Sequence, residues 1–256
     1  MNPLSASQPD LFAVSSGIAP GAWQMSIDDE VLARLCRYDR PVLIVRTYLW
    51  DSPTLTLGVH QPECDIPCLL ETYRNHPGAA DLSERVVRRP TGGRAILHDQ
   101  DISFSFLTND PVLNRLSLKD SYRLLNGFVT KTLNQMDISL SQAADHAGYQ
   151  AEAPSPNQYV HSAVCFETRT PSDLLADNGR KIAGSAQLRR AGALLQQGTC
   201  FLESCQQRYD RLSQYDRFHH TLVSVVEVAL NSPARVLNNR EFSRFFSRPL
   251  VTESPV

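Results

Sequence analysis

The sequence contains no run of about 18 apolar residues, so no segment reads as a membrane-spanning helix. Its first residues, MNPLSASQPDLFAVSSG, lack a basic stretch followed by an apolar core, so no secretory signal is read there. Charge of either sign is not in excess: the formal net charge is −2, which offers no broad electrostatic case for nucleic acid or an anionic membrane. Paired metal-ligand motifs are also missing. Cys64 and Cys68 have a spacing that could suit two ligands, but no second pair or clustered histidines completes a zinc set. The six cysteines are scattered through 256 residues, unlike the dense spacing of a small disulfide scaffold. Reduced thiols in the cytoplasm are therefore expected.

What is present is ordinary globular composition, 42% hydrophobic and 20% charged, over a length that suits one large domain or two small ones. Residues 1–20 are polar, with Ser, Pro and Gly, and are expected to form a flexible tail, with one domain over residues 21–256. Ser26 is a good helix cap, and Ile27, Val31 and Leu35 share one face, which predicts a helix from about Ser26 to Tyr38. Pro41–Tyr48 reads as a buried strand and Thr54–Val59 as a second. Around Ala95–Leu107 two strands flank a tight turn near Asp99, with Ile102, Phe104 and Phe106 on one side and Ser103 and Ser105 on the other. Asp120–Met136 has helical spacing, and Gln142–Tyr159 reads as a mobile loop. Lys181–Leu188 and Ala193–Leu202 suggest a hairpin closed by Arg190-Ala191-Gly192, and Arg217–Leu230 a last helix. Strands and helices mix without βαβ alternation. The expected class is α+β, a mixed and mostly antiparallel sheet with flanking helices.

Three segments carry chemistry. The first is Arg88-Arg89-Pro90-Thr91-Gly92-Gly93-Arg94-Ala95-Ile96-Leu97-His98-Asp99. Its paired glycines allow a close backbone approach to a ligand, its arginines could hold a phosphate or carboxylate, and His98 could face a cleft. The alternative is a tight turn with solvated arginines. It is not a nucleotide phosphate loop, because the spaced Gly-Lys-Ser/Thr is absent. The second is Gly179-Arg180-Lys181-Ile182-Ala183-Gly184-Ser185-Ala186-Gln187, where the small run Gly184–Ala186 leaves room for a ligand chain. Lys181 there is either a surface charge or aimed into the same cleft, and Gln187 is either cross-strand paired or ligand-facing. The third is Val164-Cys165-Phe166, which on local sequence alone reads as an inert buried thiol. His219 and His220 fall in a helical stretch, facing solvent or the core edge.

In this order, RRPTGGRAILHD and GRKIAGSAQLRRAG resemble the two signature blocks of the lipoate/biotin protein ligase and octanoyltransferase superfamily, with WQMSIDDEVL and PTLTLGVHQ as further points of similarity. The resemblance covers about Trp23 to Leu202. Arg94 after Gly93, a short C-terminus and Val164-Cys165-Phe166 look most like the LipM-type octanoyltransferases. It implies the class II ligase catalytic fold and an octanoyltransferase of lipoate biosynthesis. Cys165 would be the acyl-accepting nucleophile and Lys181 its partner. Arg88, Arg89, Gly92, Gly93, Arg94, His98, Gly184, Ser185, Ala186 and Gln187 would shape the substrate site. The implied donor is octanoyl acyl carrier protein. The implied acceptor is a lysine of a lipoyl-domain protein, a glycine cleavage H protein or a dehydrogenase E2. No metal or cofactor is implied. The other readings are an amidotransferase between lipoyl domains, an ATP- and Mg-dependent lipoate ligase, and a non-catalytic acyl or carrier-protein binding module. One residue departs from the pattern: Gln197-Gly198 stands where the family commonly has His-Gly.

Overall fold

The computed structural model describes residues 8–138, 140–142, 165, 170, 172–176, 179–202 and 208–242. The architecture is α+β, as the sequence pattern implies. The strands are β1 (Asp10–Ala19), β2 (Val42–Trp50), β3 (Thr54–Leu57), β4 (Val86–Arg88), β5 (Ile96–His98), β6 (Ile102–Thr108), β7 (Leu140–Gln142), β8 (Leu174–Ala176), β9 (Lys181–Arg190), β10 (Ala193–Cys200) and β11 (Arg235–Leu237). The helices are α1 (Gly21–Leu35), α2 (Ile66–Thr72), α3 (Pro111–Arg115), α4 (Leu118–Gln135) and α5 (Arg208–Leu230).

The large sheet has the order β11-β1-β2-β6-β10-β9-β8-β7, and β4-β3-β5 form a small second sheet. β11, β1 and β2 run parallel to one another, and the pairs from β2 to β7 are antiparallel. All nine residues of β2 are buried, because both faces of the sheet are covered. On one face Val45, Phe104, Phe106 and Leu194 pack against Phe128 and Val129 of α4 and Phe218 and Leu222 of α5. On the other face Ile44, Leu107 and Leu195 pack against Val31, Leu32 and Leu35 of α1. The period-2 alternation in β6 works as its sequence suggests: the phenylalanines enter the first core and Ser103 and Ser105 turn to the other side.

Several expectations need correction. Residues Asp10–Ala19 are not a loose tail. Leu11 and Ala13 enter one core and Phe12 and Val14 the other, so this segment is a two-faced strand between β2 and β11. Residues 1–7 lie outside the described part. Helix α1 starts at Gly21 rather than Ser26, because Pro20 holds an extended backbone and sets the entry to the first turn. Ser26 instead bonds back within the helix, donating to the Trp23 carbonyl at 2.9 Å. α4 begins two residues before Asp120, capped by Ser117, whose hydroxyl accepts from the Asp120 N–H. α5 starts at Arg208, earlier than its apolar periodicity indicates. The hairpin of β9 and β10 turns through Ala191 and Gly192, both with positive φ, which is the geometry a two-residue turn requires. Most of the loop expected at Gln142–Tyr159 falls outside the described residues. Among those described, no helix is long and apolar enough to cross a membrane.

On α5, His219 is buried and shares a 2.8 Å hydrogen bond from Nδ1 with Thr47 Oγ1. Burial pushes its imidazole down to about 4, aided by His220 and opposed by Asp216. The unfolded chain therefore takes up this proton before the folded one. His219 contributes stability in full above about 6.5, its ordinary value, and loses it as pH falls toward about 4. Between pH 6.5 and 4.5 the wild type is expected to lose about 2 kcal/mol more than His219→Gln in urea unfolding. Parallel pH dependences for the two proteins would contradict this.

Candidate active site

The site forms where the Thr91–Ala95 loop, β9 and Cys165 converge. Arg89 organises the loop. Its guanidinium is buried and donates to Thr56 O (3.0 Å), Thr56 Oγ1 (2.7 Å), Gly92 O (2.9 Å) and Arg94 O (2.9 Å). Arg88 is exposed and gathers the carbonyls of Gly58 (3.0 Å) and Gln61 (2.7 Å). Both arginines thus hold chain carbonyls, Arg89 from the interior and Arg88 from the surface, where it also lies 3.7 Å from Glu63. Gly93 has φ +92, a value that favours glycine, and its carbonyl lies so close to Gly58 that a Cβ there would sit 1.9 Å away. A positive φ and one tight backbone approach therefore fix the path of the loop at Gly93.

β9 meets the loop with its small residues. A Cβ placed on Gly93 would lie 3.9 Å from the Ala186 Cβ. One placed on Gly184 would lie 3.0 Å from Lys181 Cε. Gly184 and Ala186 therefore line this side. Ser185 and Gln187 point the opposite way: Ser185 donates to Asn126 Oδ1 at 3.0 Å, and Gln187 pairs across the strands with Gln196 at 2.6 Å. Of the two readings for Gln187, cross-strand pairing is the one seen. The alternation of a strand separates residues that adjoin in sequence.

Cys165 is half-buried, and its N–H donates to Ala95 O at 2.8 Å. That N–H is therefore engaged with the loop rather than presented to an oxyanion. The Lys181 ammonium lies 3.6 Å from Cys165 Sγ and 3.1 Å from Cys165 O. It also forms a 3.0 Å ion pair with Asp173, both side chains being 4% exposed. An isolated ammonium at this depth is costly, and a paired carboxylate offsets that cost. Burial pushes the Asp173 carboxyl above the usual carboxylate range, with Lys181 and the Thr170 N–H pulling it back. Burial lowers the Arg89 guanidinium to about 10, and electrostatic interactions with Cys165 and Tyr48 oppose that. Among the other described cysteines, Cys64 and Cys68 are exposed, Cys36 is half-buried as Cys165 is, and Cys200 is buried, which pushes its thiol up.

His98 does not face a cleft, contrary to expectation. It is buried with both ring nitrogens engaged, Nδ1 with Asp101 Oδ2 at 2.8 Å and Nε2 with Thr56 Oγ1 at 3.0 Å, and it stacks on Trp50. The Asp101 carboxyl is desolvated, yet His98, Thr199 and Ser103 together hold it below the usual carboxylate range. This chain supports Arg89 through Thr56 from below. Arg94 is half-buried beside Gly93, its carbonyl taken by Arg89. Among the described residues no group of three or more His, Cys, Asp or Glu gathers in a metal-holding arrangement.

Gln197, which the resemblance singles out, holds the loop from the sheet. It accepts from Thr91 Oγ1 at 2.8 Å and donates to Asp28 Oδ2 at 2.7 Å. Asp28 in turn pairs with the fully buried Arg46 at 2.7 Å. Sequence reasoning did not single out Asp28, Arg46 or Asp173. A charged residue inside the apolar runs of α1 and β2 was the available signal for the first two. Asp173 follows Pro171-Ser172 and looks like any turn aspartate.

With this geometry in place, comparison with known proteins defines the class. Residues 20–240 match the lipoyl protein ligase A/B catalytic domain, and the chain belongs to that family. Among curated relatives, octanoyltransferase LipM of Geobacillus kaustophilus is 32% identical over 194 residues, covering 74% of this chain and 64% of the relative. LipM of Bacillus cereus is 33% identical over 197 residues, with the same coverage of each. The chain thus spans 64% of the length of these relatives. Within the superfamily it is most like the LipM proteins. Solved structures agree on the fold. Lipoate-protein ligase A bound with ATP superposes with TM-score 0.58 at 18% identity, covering 92% of each chain. A bi-partite lipoate protein ligase from Thermoplasma acidophilum gives 0.56 at 16% identity, covering 93% of this chain and 90% of that one.

Gln197→Ala removes the partner of a buried carboxylate and of a buried hydroxyl together. It is expected to cost about 2–3 kcal/mol in urea unfolding, against less than about 1 for an exposed glutamine such as Gln100→Ala. Equal costs would show that the Thr91–Gln197–Asp28 link does not hold the loop.

Proposed function

We propose that this chain is an octanoyltransferase that moves an octanoyl group from acyl carrier protein to a lysine of a lipoyl-domain protein through a thioester on Cys165. The observation that carries this reading is the ammonium of Lys181 at 3.6 Å from Cys165 Sγ, in a site lined on the β9 side by Gly184 and Ala186. A cation at that distance offsets negative charge on sulfur as it attacks and as it leaves. In the first half-reaction Cys165 Sγ bonds to the acyl carbon, the carrier's C–S bond breaks, and the proton released by Cys165 ends on the carrier thiol. In the second, the acceptor amine bonds to that carbon and the Cys165 C–S bond breaks. The amine's proton passes through Lys181 to Sγ. Both half-reactions balance without an oxidant or reductant.

The donor is already an activated thioester, so this route calls for no ATP. The names of the relatives support the octanoyl group and the transferase class, and the lipoyl-ligase structures support a lipoyl-domain acceptor. Both macromolecular substrates fit a cytoplasmic enzyme. An amidotransferase between lipoyl domains would use the same cysteine and differ only in its donor.

Cys165→Ala is expected to lower transfer from octanoyl carrier protein to a lipoyl domain by on the order of 10³-fold or more, with unfolding stability within about 1 kcal/mol of wild type. Transfer at wild-type rate by Cys165→Ala would sink the thioester route. Pyrophosphate release on adding ATP and lipoate would point to the ligase chemistry instead.

A further inference from the structure

We propose that Asp173 is the positioning residue that aims Lys181 at Cys165, and that β8, β9 and α4 are arranged to hold its carboxylate in place. The proposal rests on the reading of Cys165 and Lys181 given above and adds to it a residue that neither signature block contains.

The geometry carries it. Asp173 Oδ2 sits 3.0 Å from Lys181 Nζ, and the same Nζ reaches Cys165 Sγ at 3.6 Å. A lysine has four rotatable bonds and a compact point charge, so its direction must come from what it touches. Asp173 is itself fixed on several sides. The Thr170 N–H donates to Oδ2 at 2.6 Å, and the Asp173 N–H closes a turn onto Thr170 O at 3.1 Å. Asn126 of α4 donates to the Ser172 carbonyl at 2.7 Å. Immediately after Asp173, Leu174 and Leu175 are buried and pair with β9, in the register Leu174↔Ala183 and Leu175↔Lys181. The carboxylate and the lysine it orients are therefore attached to neighbouring strands of one sheet. Gly184 completes the arrangement from below, since any side chain there would press on Lys181 Cε.

The chemistry needs such a device. In the second half-reaction Lys181 must exchange a proton with an amine that arrives from solvent, while staying within reach of one sulfur. An aspartate that accepts from the ammonium keeps Nζ in position when the acylated Cys165 carries no charge to attract it. Asp173 is a positioning residue: it is paired with the Lys181 ammonium, and its effect on the sulfur runs through that pair.

The test is a double-mutant cycle on transfer kinetics with Asp173→Asn and Lys181→Met, alongside wild type. Asp173→Asn is expected to lower kcat about 10²-fold with KM for the carrier within about threefold, and to change the pH profile of kcat. In the Lys181→Met background the same substitution is expected to cost less than about threefold, because the interaction it removes is already gone. Asp173→Glu, which keeps the charge but moves it by one methylene, is expected to recover part of the rate, and it carries the test if Asp173→Asn does not fold. A kcat for Asp173→Asn within threefold of wild type, or the full loss recurring in the Lys181→Met background, overturns the proposal while the wild type still transfers. A wild-type chain that neither acylates on Cys165 nor transfers overturns the reading of the site, and the proposal with it.

Discussion

A buried ion pair connects the parts on which this site depends. Arg46, in the middle of a fully buried strand, meets Asp28 of α1 at 2.7 Å with neither side chain exposed. Such a pair gains little over a packed apolar pair, but breaking it by removing one partner costs several kcal/mol. Its value here is positional. Asp28 also accepts from Ser105 of β6 and Gln197 of β10, and Gln197 reaches Thr91. Arg46 donates to Ser16 of β1 and stacks over Tyr48. One cation thus sets α1, three strands and the Thr91–Ala95 loop in register, and the loop in turn provides the carbonyl that receives the Cys165 N–H.

The glutamine at position 197 follows from the same network. A neutral amide donates to Asp28 with its nitrogen and accepts from Thr91 with its oxygen, so it serves two partners at once without adding charge. Gln197 thereby bridges helix and loop. It lies beneath the loop, in the connection that supports it.

How much was legible in the sequence depended on how local each signal is. Alternation in β6 and the hairpin turn depend on neighbouring residues; the alternation matches, and the turn falls at Ala191-Gly192, one residue shorter than expected because Arg190 ends β9. Of the residues in the two blocks, Gly93 faces Ala186, Gly184 lies against Lys181, and Lys181 approaches Cys165. What was not legible depends on partners far away in the chain. Asp10–Ala19 looks like a polar tail until β2 and β11 flank it. His98 and Gln187 look available until Asp101 and Gln196 engage them. Asp173 looks like a turn residue until a register of two strands brings it to Lys181. In each case a hydrogen bond across the fold, rather than any local pattern, decides the role.

The central claim is that Cys165 carries the acyl group. The most direct measurement is to mix the protein with octanoyl carrier protein in the absence of acceptor, quench in acid, and locate the adduct by peptide mass mapping. One octanoyl group on the Cys165 peptide, released by hydroxylamine and discharged on adding a lipoyl domain, is the expected result. An octanoyl group on another residue, or an unmodified Cys165 in a protein that still completes transfer, would contradict the account.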